Sequence, residues 1–189
     1  TSSRVGAVRL KNDFLNSDPV NIDRANFLRT FIQGSLEPAV RKIKRRLKDD
    51  KPVSLIATSG TATSLGNLIL NYLGQPKQKM HGYKFKRESL NILLKKLIKM
   101  PISEISKIPV LSERRAEIII PGAMILNTSM EMLNFNELTI SERALREGLV
   151  VDWMLRKGII KNEFNIQSNI RKTTIVHQAT KFGVDKERA

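Results

Sequence analysis

The chain contains no cysteine, which excludes disulfides and thiolate metal sites and fits a reducing compartment without proving one. Histidine is nearly absent. His81 and His177 stand far apart, a poor basis for a zinc site, and read more simply as core or surface residues. Aromatic residues make up only 5% of the chain, so the core must be aliphatic and few rings are available to stack on nucleic-acid bases. No apolar run is long enough to span a bilayer, and Thr1–Asp18 lacks the shape of a signal peptide. The expectation is a cytoplasmic protein with no membrane partner. Acids are scarce as well: 18 Asp and Glu face 33 Lys and Arg, a net charge of +15. That excess points to a polyanion such as nucleic acid, an anionic membrane or polyphosphate, although solvated lysines in a basic proteome give the same balance.

What is present suffices for one sizeable domain, or one domain and a tail, since 41% of the residues are apolar. The chain is organised around Val53–Leu65. A short apolar run leads into Thr58-Ser59-Gly60-Thr61 and then into helically spaced Leu65, Leu68, Ile69 and Tyr72. This pattern predicts a buried strand, a small-residue turn and an amphipathic helix. The start of that helix offers unpaired N–H groups and a positive dipole end to a phosphate. The plainer alternative is a strand–turn–helix joint in which Thr58 or Ser59 only caps the helix.

Elsewhere the pattern is mainly helical. Val5–Leu10 reads as a strand that begins abruptly. A long helix is expected from Arg24 to Leu47, with Phe27, Phe31, Leu36, Val40, Ile43 and Leu47 as its buried stripe and with Pro38 kinking or splitting it. Arg41, Lys42, Lys44, Arg45, Arg46 and Lys48 crowd its end, where positive charge suits the dipole. Tyr83–Phe85 reads as an edge strand, Glu88–Met100 as a helix, and Ile102–Ile108 as a short helix. Glu113–Leu133 reads as a long helix interrupted near Pro121-Gly122. Leu138–Ile140 reads as a strand and Ser141–Gly148 as a turn into the helix Leu149–Arg156, which Gly158 ends. Asn162–Asn169 is linker-like and Ile170–Phe182 a last helix. Strands alternating with helices imply an α/β layer architecture.

Four stretches in order carry a resemblance: Gly6–Leu10, Thr58–Thr61, Arg115–Gly122 and Ala144–Gly148. Together they resemble the exopolyphosphatase / guanosine pentaphosphate phosphatase family from about Val5 to Arg156. The resemblance implies an α/β, ribonuclease H-like lobe of the actin-like ATPase superfamily, helix-rich and lacking its first strands. Residues 1–158 would be an N-terminally incomplete second lobe, 159–169 a linker, and 170–189 the start of a following helical domain. Members remove terminal phosphate from inorganic polyphosphate or from pppGpp, using Mg²⁺ and a water activated by a carboxylate. Thr58, Ser59, Gly60 and Thr61 match the family's phosphate-side loop, and Arg115 and Arg146 match arginines near its cleft. Ala57 stands where a glycine is more usual, which makes the loop slightly less open.

The family's Asp/Gly-rich loops and its catalytic glutamate do not occur in this sequence, so no catalytic residue is assigned and the missing N-terminal lobe is an expected partner. Glu147 is the one metal candidate, through water, since Mg²⁺ keeps much of its hydration; a glutamate favoured by a helix start is the plainer reading. The expected substrate is polyphosphate, because a long polyanion uses an extended basic track, with pppGpp as the alternative. A second copy of the chain is a candidate partner. A non-enzymatic nucleic-acid-binding module ranks below both, for want of aromatic platforms. A sugar-kinase-like ATPase would need an adenosine pocket that the sequence does not display.

Overall fold

A computed structural model describes residues 3–47 and 53–160. The chain divides into two compact units, Thr1–Ala144 and Leu145–Ala189. In the first unit the elements run α1 (Ala7–Phe14), α2 (Ile22–Arg46), β1 (Ile56–Ala57), α3 (Gly60–Tyr72), β2 (Lys84–Lys86), α4 (Arg87–Ile98), α5 (Ile102–Ile105), α6 (Glu113–Leu133) and β3 (Glu137–Ile140).

Helix α6 is the hub, with α1, α2, α3 and α4 packed around it. It buries Ala116, Ile119, Ile120, Ala123, Met124 and Met130, so its apolar surface runs round the cylinder, as interior helices require. The expected interruption at Pro121-Gly122 does not occur, and the helix runs through unbroken. The carbonyl that Pro121 leaves unpaired belongs to Glu117, an exposed residue, so water can satisfy it. Gly122 serves packing: a Cβ there would stand 2.5 Å from Cγ2 of Thr61, so its absence lets α3 approach α6. Helix α2 passes Pro38 without a split for the same reason, because Gly34, four residues earlier, is also exposed. The stripe that α2 buries differs from the expected one: Ala25, Leu28, Ile32 and Val40 point inward, whereas Phe27 is 58% exposed. The helix is rotated so that branched aliphatics meet α6, and Phe27 packs on Phe14 at 5.8 Å between ring centroids.

The sheet has the order β1-β3-β2, with β1 parallel and β2 antiparallel to the central β3. Phe85, Leu138 and Ile140 are buried, and α3 lies close through Gly66, where a Cβ would meet Ile140 Cδ1 at 2.5 Å. β1 is less covered than the sequence suggested, because Ile56 is 58% and Val53 48% exposed. An outer strand here has a covered neighbour on one side only.

Val5–Leu10 is not a strand. Its second half begins α1, in which Leu10 is fully buried and Lys11 reaches Glu117 of α6 at 3.4 Å. The valines favour a strand locally, but docking on α6 rewards the helical spacing of Leu10, Phe14 and Leu15. In the second unit α7 spans Leu145–Arg156, one turn earlier than expected, so most of Ala144–Gly148 is helical. Gly158, with φ 70°, terminates it. Asn162–Asn169, Ile170–Phe182 and His177 lie outside the described residues.

Candidate functional site

Parallel strands β1 and β3 end side by side: the Ser141 N–H donates to the Ala57 carbonyl at 2.9 Å. Loops at the carboxyl ends of parallel strands are where open α/β sheets bind ligands, and here those loops are Thr58-Ser59 and Ser141–Ala144. Ser59 is extended and caps α3, its Oγ accepting from the Ala62 N–H at 3.1 Å. The Thr63 N–H donates to the Ser59 carbonyl. Among the described residues the N–H groups of Gly60 and Thr61 have no protein partner. Thr58, Ser59 and Gly60 are exposed, and Thr61 is half-buried with its methyl against Gly122. Ser59 and Thr61 also line a cavity of about 230 Å³ with Val5, Gly122 and Leu126.

Over this helix start lies Arg115, from the first turn of α6. A Cβ on Gly60 would fall 2.8 Å from the guanidinium carbon of Arg115. Nη1 donates to Ser64 Oγ at 3.0 Å. No carboxylate pairs with Arg115 among the described residues. The guanidinium therefore stands at the positive end of α3 while its own backbone belongs to the positive end of α6. Each placement costs about 0.3–1 kcal/mol for a cation near a helix N-terminus. An anion at Gly60 is attracted by the α3 dipole and by the guanidinium, which offsets this cost, and it gains a planar, two-pronged donor. Arg115 thus lies beside Thr58–Thr61, and among the described residues it makes no ion pair.

Arg146 and Glu147 belong to the second unit, exposed on the first turn of α7. Among the described residues no three His, Asp or Glu side chains converge as metal ligands. His81 is engaged otherwise: its Nδ1 accepts from the Glu142 N–H at 3.3 Å, and its own N–H donates to Glu142 Oε2 at 3.2 Å. No helix among the described residues is long and apolar enough to cross a membrane.

The sequence pattern of the Ppx/GppA phosphatase family matches residues 1–157. This chain belongs to that family. Exopolyphosphatase 1 of Mycobacterium leprae is 30% identical over 151 residues, covering 78% of this chain and 42% of the relative. Exopolyphosphatase 2 of Mycobacterium tuberculosis is 24% identical over 154 residues, covering 79% and 47%. Among solved structures, the Aquifex aeolicus Ppx/GppA enzyme superposes with a TM-score of 0.68 at 26% identity, covering 80% of this chain and 48% of that one. An exopolyphosphatase from Cytophaga hutchinsonii shares the fold, with a TM-score of 0.70 at 22% identity over 84% and 49% of the two chains. The chain spans less than half the length of these relatives. Its helix-rich α/β architecture with a small sheet is that of Ppx/GppA enzymes, whose fold is actin-like.

Two features of this Ppx/GppA chain escaped the sequence reading. Ser64 is the partner of Arg115; its spacing from Gly60, one helical turn, was the available signal. Ser141–Arg143 emerges beside the β1 turn, with Ser141 Oγ donating to the Arg143 carbonyl at 3.0 Å, a placement that only the β1–β3 pairing reveals.

Proposed function

We propose that this chain forms the phosphate-holding part of an exopolyphosphatase that hydrolyses terminal phosphate from inorganic polyphosphate. The observation that carries the reading is Arg115: an arginine with no carboxylate partner among the described residues, seated on Gly60 at the start of α3. Phosphoryl transfer is catalysed mainly by positioning and by neutralising charge on the phosphoryl oxygens. Arg115 and the Gly60 and Thr61 N–H groups supply that kind of stabilisation. The curated relatives named exopolyphosphatase support the substrate class, and the +15 net charge favours a long polyanion over a nucleotide bound in a pocket. Water activation and Mg²⁺ binding are assigned to groups outside this chain, so the 189 residues alone are expected to release no phosphate.

The test is steady-state phosphate release from polyphosphate by the full-length protein and its Arg115→Ala variant. Losing one charged donor to the transition state should lower kcat/KM about 100-fold. An unchanged kcat/KM would sink the assignment of Arg115. Hydrolysis of pppGpp without hydrolysis of polyphosphate would transfer the site to the nucleotide.

A further inference from the structure

Ser64 is 6% exposed, and its α3 neighbours Ala62, Leu65, Gly66, Leu68 and Ile69 are all buried. A hydroxyl at such a place must be satisfied, because an unpaired buried polar group costs more than the apolar alternative. Four other serines and threonines in or just after helices satisfy theirs locally. Thr30, Thr63, Ser106 and Ser129 each donate to the carbonyl four residues back. Ser64 instead accepts from Nη1 of Arg115 at 3.0 Å, across the contact between α3 and α6.

We propose that Ser64 is a positioning residue that holds the Arg115 guanidinium over Gly60 in readiness for phosphate. The inference rests on the reading of Arg115 given under Proposed function. Arginine has among the largest rotamer entropies of any side chain, and a free one must lose it when the ligand arrives. A buried acceptor that fixes one guanidinium nitrogen beforehand removes much of that cost from binding, which is the general value of preorganisation. Among the described residues only one of the five guanidinium donors is used, so a two-pronged contact to phosphate remains available. Gly60 completes the arrangement, since any side chain there would occupy the space the guanidinium takes. Ser64 lies one turn behind it on the same helix face.

Serine to alanine removes one oxygen and favours the helix, so Ser64→Ala should fold. In the full-length protein, assayed with polyphosphate, Ser64→Ala should lower kcat/KM about tenfold, mainly through KM, as loss of a charge-assisted hydrogen bond does. In an Arg115→Ala background the same substitution should change nothing, because Ser64 acts through the arginine. A crystal structure of Ser64→Ala should show the guanidinium displaced from Gly60. Equal losses in both backgrounds, or a guanidinium that stays in place without the hydroxyl, would overturn the proposal. If Arg115→Ala alone leaves kcat/KM intact, the phosphate reading fails, while the crystal structure still decides whether Ser64 holds Arg115.

Discussion

Two cationic regions of this chain sit in opposite local fields. At the end of α2, Lys44, Arg45 and Arg46 occupy the last turn, where the helix dipole is negative and cations are welcome. Arg41, a turn earlier, pairs with Glu37 at 3.3 Å. By charge density alone this is the obvious anion track. The second region is the meeting of α3 and α6, where Arg115 stands at the positive ends of two helices and makes no ion pair among the described residues. The first cluster is explained by its own helix. The second is not explained by its helices, and the bound anion proposed above would account for it. A charge set against its local field is therefore more informative than a larger number of charges set with it.

The largest expected effect separates the two regions by their response to phosphate. If the comparison holds, Arg115→Gln in phosphate-free buffer should shift stability by no more than about 1 kcal/mol in either direction, since relief of a cation at the helix starts opposes loss of the hydrogen bond to Ser64. Added inorganic phosphate should stabilise the parent protein by about 2.7 kcal/mol at 100 times its Kd, and Arg115→Gln should show almost none of this gain. Paired substitution Arg45→Gln/Arg46→Gln should do the reverse, lowering stability by a few tenths of a kcal/mol while keeping the phosphate response. Thermal melts of the three proteins at matched ionic strength decide the matter. A drop in stability for Arg115→Gln without phosphate that exceeds one charged hydrogen bond, about 3 kcal/mol, would mean that Arg115 is a structural residue.

A smaller effect is expected at Gly60. Alanine is a better helix former than glycine by about 1 kcal/mol, so propensity alone predicts a more stable α3. Yet a Cβ at residue 60 would land on the Arg115 guanidinium, the far end of a flexible side chain that can swing away cheaply. Gly60→Ala should therefore melt no lower than the parent and still bind phosphate about tenfold more weakly, a loss comparable to one charged hydrogen bond. An unaltered phosphate affinity, read by titration calorimetry, would show that the position of the guanidinium over Gly60 does not matter.

Much of this was legible in the sequence, and the limits have physical causes. The turn and helix after residue 57 announce themselves through small residues followed by a 3.6-residue period, and Ser59 caps α3 as serines do. Leu138–Ile140 was legible as a strand because it is apolar and flanked by turns. Val5–Leu10 was misread because two valines favour a strand locally, whereas the decisive contact, Leu10 against the α6 hub, is remote in sequence. Pro121-Gly122 looked like a helix break because proline and glycine usually are. Nothing local reveals that the freed carbonyl belongs to an exposed residue or that Thr61 needs the missing Cβ. Within the site, Thr58–Thr61 and Arg115 were visible through family resemblance. Ser64 was overlooked because its one signal, a helical turn's spacing from Gly60, is weak for a lone serine on a buried helix face.

The smallest expected effect concerns the basic end of α2, and it tests whether that region contributes at all. A long polyanion binds through many phosphate contacts, each releasing counterions, so the logarithm of its binding constant falls linearly with the logarithm of salt concentration. If α2 borders the polymer's path, Arg45→Glu/Arg46→Glu should weaken polyphosphate binding several-fold and make the salt slope shallower. The control must change charge equally on another surface without disturbing a contact. Lys96 is unsuitable, because its ammonium lies 4.8 Å from the centre of the Tyr72 ring. Lys95 and Lys99, both exposed on or just after α4, serve instead. Should Lys95→Glu/Lys99→Glu cost as much affinity and slope as the α2 pair, the attraction is diffuse. The site at Arg115 would then carry all the specificity, and net charge would no longer favour the polymer over pppGpp. A loss confined to the α2 pair would instead extend the phosphate path beyond the helix start at Gly60, with cations that α2 holds for its own reasons put to a second use.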